Sequence, residues 1–375
     1  MATAPTISRT DWAEREVEHV LSLPLISEFV FRSPKHNDPN EKEVIDHLIV
    51  HKDEAILISQ KAQDDPTKRS VQRNELWVLK NTQDALKPIL GAIRKPGDRP
   101  KWCEHSRRGR IAFEALPKII RGIALAETWR PVDLQTAAAN LPLEYLGVPL
   151  SYLSINDFLN LVVQLRTVPE ALAYLDARRS LPANSLRVIG NEFPLFELYL
   201  MNGGNLRGCT GHADAERATS THDDLVQEAI NRNSEYQHYS SCLEHVAHAL
   251  AGRDPDYKVG ATSEMLALFD PLEQRQNYIV LQEILADLRL RERAELGRGF
   301  DALCERMSRQ GRGMSSCAAH LDGRDWVFVF ISSRGREKAA IFNAATELTG
   351  AALAHYQKRN CFVIVDCDGE HYDVL

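Results

Sequence analysis

The stretch "EVIDHLIVHKDEAILISQKAQ", residues 43–63, decides how this chain is read. "VIDHLIV" and "AILISQK" are apolar runs of strand length joined by the polar "HKDE", so they are expected to pair as a hairpin. Both are almost continuously apolar, which suits central strands covered on both faces. Yet Asp46 sits inside the first run and Lys61 closes the second. Side chains alternate faces along a strand, so Leu57, Ser59, Lys61 and Gln63 share one face while Ile58 and Gln60 take the other. In a hairpin, the start of the first strand lies beside the end of the second. An acid and an ammonium group are therefore expected to converge at one edge of a sheet.

The surrounding sequence supplies the rest of that sheet. Residues 11–22, "DWAEREVEHVLS", read as a helix with Ala13, Val17, Val20 and Leu21 on one face. "SEFVF" is a short strand closed by "RSP". "RNELWVLKNTQDALKPILGAIR" is helical, with Trp77, Leu79, Ala85, Leu86 and Ile89 apolar and Pro88 expected to kink or shorten it. "KIIRGIALAE" and "VPLSYLS" read as further strands, with a polar helix around 133–140 between them. The order helix, three strands, helix, strand, strand describes an α/β domain over residues 1–155. Residues 156–310 carry mostly helical patterns, among them a long charged run near "LRLRERAELGR" read as a solvated face. Residues 311–375 change character again: "DWVFVFISS", a helix, "CFVIVD" and "HYDVL" make a small α/β unit.

Composition sets the outer limits. The chain has 375 residues, 44% hydrophobic and 26% charged, an ordinary globular balance. "MATAPTISRTDWAEREVEHV" has no apolar core behind a basic start, so no secretory signal is expected, and no apolar run is long enough to span a bilayer. Seven scattered cysteines, an odd number, fit free thiols in a reducing compartment, the cytoplasm. The formal net charge of −7 means that nucleic-acid binding would need locally concentrated positive charge. Residues 94–110, "RKPGDRPKWCEHSRRGR", concentrate it. Arg94, Lys95, Arg99, Lys101, Arg107, Arg108 and Arg110 stand there against Asp98 and Glu104, with Pro, Gly and Trp102 interleaved as in a contact loop. A solvated loop is the plainer reading of the same charges.

A carboxylate and a lysine at one sheet edge, with a glutamate supplied by a preceding helix, suit phosphodiester hydrolysis by a hard cation. Here the segment resembles the PD-(D/E)xK, or restriction-endonuclease-like, nuclease superfamily, nearest to its nuclease-related (NERD-type) and Mrr-like members. Asp46 in "VIDHLIV" matches the family's Asp and Lys61 in "ILISQK" its Lys. The helix glutamate is Glu16 or Glu14. The resemblance covers residues 11–155 and implies a mixed sheet flanked by helices. It further implies Mg²⁺ or Mn²⁺ held by Asp46 and Glu16, a water- or charge-orienting Lys61, DNA as substrate with RNA second, and a role in restriction or anti-phage defence.

The departure is Ser59, which stands where the family usually has Glu. Glu16, Glu43 and Glu75 are candidates to replace it, and Gln63 could contact substrate or a metal-bound water. The same departure motivates the alternative of a catalytically degenerate fold that binds nucleic acid or protein. The helical region then offers a surface for a protein partner or for a second copy of the chain.

Other motifs are weaker. Cys209-x2-His212 and Cys242-x2-His245 have zinc-like spacing but read better as ordinary loop and helix residues. "GGNLRG" lacks the Lys-Ser/Thr of a P-loop. "VDCDGEHYD" reads as a hairpin around Asp368-Gly369 rather than a calcium loop. Nothing places Cys317 and His320 with an acid as a nucleophile.

Overall fold

The computed structural model describes residues 9–35, 43–63, 68–94, 102–106, 109–111, 119–135, 141–252, 281–311, 313–367 and 371–374. It is a mixed α/β structure that divides into two compact units, residues 1–230 and 231–375.

In the first unit, α1 (Arg9–Leu21) and the short α2 (Pro24–Ser27) lead into β1 (Val30–Lys35), β2 (His47–His51) and β3 (Glu54–Lys61). These three strands form an antiparallel meander, with His51 opposite Glu54 across a turn in which Lys52 has φ 52°. "RSP" does not close β1 as expected. It continues the strand through a register irregularity, with Ser33 at φ 42°. The helix α3 (Val71–Arg94) then crosses the sheet, and β6 (Ile119–Ala126) returns parallel to β3, followed by β9 (Val148–Ser154), parallel to β6. The described strands of this sheet run in the order β5-β4-β1-β2-β3-β6-β9-β8, where β4 is Trp102–His105, β5 Gly109–Ile111 and β8 Glu144–Tyr145.

The edge pair β4 and β5 corrects the expectation of a loop over 94–110. β4 is only four residues long and alternates buried Cys103 and His105 with exposed Glu104, a pattern too short to stand out among the flanking charges. Pro88 does not shorten α3, which runs through it for 24 residues. The single amide donor lost is offset by burial of Ala85, Leu86 and Ile89 around it. Val132 and Asp133 are not helical but form the short strand β7, paired with β10 (Val188–Ile189). Residues 136–140 of the expected polar helix lie outside the described residues.

Helix α3 covers one face of the sheet. Leu57, Ala124, Leu150 and Tyr152 meet Val78, Ala85, Leu86 and Ile89 there in one apolar cluster. Gly122 is required by that approach, since a Cβ would lie 2.6 Å from Ile89 Cγ2 and 2.7 Å from Leu150 Cδ2. The opposite face carries α4 (Ile155–Leu165), which packs on α1, and α5 (Val168–Arg178). Ser154 caps α4 by accepting from Asp157 N at 2.9 Å, and Thr167 caps α5 by accepting from Glu170 N. Helices α6 (Phe193–Met201) and α7 (His212–Thr221) complete this layer, and α8 (Asp223–Gly252) carries the chain onward. The helices expected as a separate middle region are thus shared between the two units.

The second unit contains the helix α9 (Leu290–Gln310) and the strands β11 (Gly313–His320), β12 (Trp326–Arg334), β13 (Asn360–Cys367) and β14 (His371–Val374). β12 and β13 are parallel and joined by α10 (Lys338–Tyr356); the outer strands are antiparallel to them. β13 and β14 pair as the expected hairpin, with Cys367 opposite His371; its tip, 368–370, lies outside the described residues. Among the described residues, no helix is long and apolar enough to cross a membrane.

Candidate functional site

The hairpin brings Asp46 opposite Ser59, one step before His47 pairs with Ile58. Asp46 Oδ2 accepts from Ser59 Oγ at 3.1 Å and from the amide of Gln60 at 2.7 Å. Ser59 is fully buried, so its hydroxyl fixes the carboxylate from beneath and does not face solvent. Lys61, half-buried, follows on the same face of β3, the face that α3 covers. The hairpin thus joins Asp46 to Ser59 directly and leaves Lys61 two residues further along the same face of β3.

The helix glutamate drawn into this neighbourhood is Glu14. Its carboxyl is raised above the usual range by partial burial and by the charges of Glu18, Asp46, Glu43 and Asp11. Burial is the first cause of this shift, and the four acidic neighbours add to it. Glu18 is tied to Arg32 at 3.0 Å. Glu16, named from the sequence, is half-buried on α1. Both glutamates flank the apolar face of α1, and only the packing of the helix on the sheet separates their surroundings. Glu75 instead bonds Arg130 at 2.9 Å.

Gln63 shares the face of Lys61 but is buried. Its amide nitrogen donates to Glu127 Oε2 at 3.0 Å, and its side chain donates to Asn74 Oδ1 at 3.2 Å. It holds α3 to the end of β6, and the expected contact with substrate or a metal-bound water has no opening there. Period-two alternation cannot show that a helix lies over the end of a strand.

Two residues missed by the sequence reading border the site. His47, 2% exposed, has no hydrogen-bond partner for either ring nitrogen among the described residues; burial lowers its pKa to about 4, with Asp46 opposing and Arg32 assisting. Asp84 on α3 is lowered mainly by its hydrogen bond from Lys87, with the charges of Lys87, Lys80 and Lys61 adding. Neither had a signal in a motif.

Of the basic segment, Arg94 ends α3, exposed, and Arg110 lies in β5. Lys95, Arg99, Lys101, Arg107 and Arg108 lie outside the described residues.

No family model, curated protein or solved structure matches this chain.

The remaining candidates are quickly placed. Among the described residues, no group of three or more His, Cys, Asp or Glu is positioned to hold a metal ion. Cys209 Sγ donates to Gly211 O and Cys242 Sγ to His238 O, so each thiol of the zinc-like pairs is engaged locally. An apolar cavity of about 40 Å³, lined by Ile58, Phe158, Leu161 and Tyr174, lies on the sheet face opposite Ser59 and Lys61. Its lining offers no polar group suited to phosphate chemistry.

Proposed function

We propose that the first unit is a metal-dependent phosphodiesterase that cuts DNA, with RNA as a second substrate. The observation that carries this reading is the Asp46–Ser59 hydrogen bond at the end of a helix–three-strand–helix–strand core, with Lys61 on the same face of β3. The acidic neighbours of Glu14 support it.

The donor set suits Mg²⁺ or Mn²⁺. Mg²⁺ keeps several waters and is commonly held by only one or two carboxylates plus substrate phosphate. Asp46 uses Oδ2 for both of its hydrogen bonds, and Oδ1 has no partner among the described residues. Asp46 with Glu14 or Glu16 would hold the ion, which when bound lowers the pKa of water and offsets charge on the phosphoryl oxygens.

The chain's own residues do the rest. Ser59 and the Gln60 amide fix the Asp46 carboxylate in one orientation. Lys61 donates hydrogen bonds to a non-bridging phosphate oxygen and stabilises the charge that builds there. Arg94 and the basic residues up to Arg110 bind the flanking phosphates. A cytoplasmic role in restriction or anti-phage defence, with a partner or second copy on the helical layer, follows from the resemblance alone.

Ser59 favours a second reading. A buried hydroxyl replaces the charged ligand of the family, and a fold so altered could bind nucleic acid without cutting it. Cleavage of plasmid and linear DNA in Mg²⁺, Mn²⁺ or EDTA, beside Asp46→Ala and Lys61→Ala, separates the two. Metal-dependent cutting lost in both variants supports the nuclease. DNA retention without cutting, equal in all three proteins, supports the binding module.

A further inference from the structure

We propose that the turn after β6 is a stacking platform for unpaired nucleobases, and that the preferred ligand of this edge is single-stranded nucleic acid. The proposal takes its place beside a cutting centre from the phosphodiesterase reading, but its chemistry stands without it.

β6 ends at Ala126, opposite Lys61, and the chain continues past the sheet edge through Glu127, Thr128, Trp129 and Arg130. This turn is pinned from several sides. The Glu127 amide donates to Lys61 O at 3.0 Å, and Glu127 Oε2 accepts from Gln63 N at 3.0 Å. Thr128 Oγ1 donates to Arg130 O at 2.7 Å. Gly190, at φ 85°, lies so close that a Cβ there would come within 3.0 Å of Thr128 Cγ2 and 3.2 Å of Arg130 O. On this fixed backbone Trp129 is 45% exposed.

An indole left in water on a rigid turn adds little to the core. It does offer a binding face whose ordering cost is already met by the fold. The Arg130 guanidinium lies 5.4 Å from the Trp129 ring centroid and is tied to Glu75 on the first turns of α3. Arg69 lies over Trp77 at 5.4 Å on the neighbouring start of α3, where Arg73 is exposed; Trp77 itself is half-buried and packs on the core beneath. Among the described residues of this patch, Arg69, Arg73 and Arg130 stand against Glu75 and the buried Glu127, a balance that suits phosphate, and the exposed indole is what selects a nucleobase over a carboxylate. Exposed aromatics beside arginines hold single strands because every unstacked base has a π-face, whereas a duplex keeps its bases stacked away.

The test is fluorescence anisotropy with the full chain in EDTA, so that cutting plays no part. The ligands are labelled oligo(dT), a duplex of equal length and an abasic oligonucleotide of equal length. The expected result is tighter binding of oligo(dT) than of either comparator by the wild type. Trp129→Ala should weaken oligo(dT) binding by about tenfold and leave abasic binding unchanged, while Trp129→Phe keeps most of the preference. Equal binding of oligo(dT) and abasic strand by the wild type overturns the proposal without any variant. So does unchanged oligo(dT) binding by a Trp129→Ala protein of wild-type melting temperature, or no binding at all. Loss of the preference with cutting intact sinks the platform alone; the preference without cutting in Mg²⁺ or Mn²⁺ sinks the nuclease alone.

Discussion

Glu192 and Asp46 are both carboxylates of the first unit, and their surroundings differ in kind. Glu192 is 2% exposed. Its Oε1 accepts from Arg178 Nε at 2.5 Å and from the Tyr174 hydroxyl at 2.7 Å. Arg178 also donates to Tyr152 O, and Asp157 accepts from the Gly190 and Glu192 amides. The Glu192–Arg178 pair is closed, with its charge matched within reach of a hydrogen bond. At the other cluster, Asp46 is half-exposed and has donors on one oxygen alone, while Glu14 is held up by its acidic neighbours. Matched charge in the interior orders the fold; unmatched charge at a rim is available for a ligand.

Breaking the closed cluster should cost most. Glu192→Ala leaves Arg178 buried without its carboxylate, and urea unfolding should show a loss of about 3–5 kcal/mol. The rim should behave in the opposite sense. Asp46→Ala and Lys61→Ala should each reduce Mg²⁺-dependent cleavage by at least about a hundredfold while shifting the urea midpoint far less. A variant at the rim as destabilising as Glu192→Ala would erase the contrast.

His47 sharpens it by pH. Its folded pKa, about 4, lies below the ordinary histidine value, so the unfolded chain binds the extra proton between them. The stability that His47 confers is present above about pH 6.5 and is lost as pH falls towards 4, by on the order of 3 kcal/mol. Unfolding of His47→Phe should show a flatter acid limb over that window. The smallest effect belongs to Glu14. Its raised folded pKa means that the folded state keeps its proton longer, so stability falls as pH rises through the carboxylate range. Glu14→Gln should therefore melt slightly higher at neutral pH, and the gain should vanish below about pH 4. In wild type, Mg²⁺ should raise the melting temperature; in Asp46→Ala it should not.

The hairpin was legible because apolar runs and a polar turn specify it locally, and alternation then placed Ser59 and Lys61 on one face and Asp46 beside them. The same rule put Gln63 on the face of Lys61 but could not show its burial, because a strand's period says nothing about the helix that lies over its end. Glu14 and Glu16 flank opposite borders of the apolar face of α1, and a helical wheel cannot say which border lies toward Asp46; the charge of Asp46 acts on Glu14. The edge pair β4 and β5 was hidden because each strand is only three or four residues long and stands among charged residues. Neither the Glu192–Arg178 pair nor the Trp129 turn carries a motif: the first joins the end of α5 to the start of α6, and the second is pinned by Gln63 and Glu75 from segments far along the chain.

The pairing of β3 has a consequence for how the site comes into being. Its contact with β2 is local, spanning only the turn at Lys52, whereas its contact with β6 joins Glu54 to Ile119. Hairpins close in about 1–10 μs, while parallel pairing across a long loop waits on chain closure and raises contact order. The Asp46–Ser59 contact thus needs only a short loop to be closed, whereas the Lys61–Glu127 contact needs a much longer one, so the two sides of this sheet end carry very different loop-closure costs.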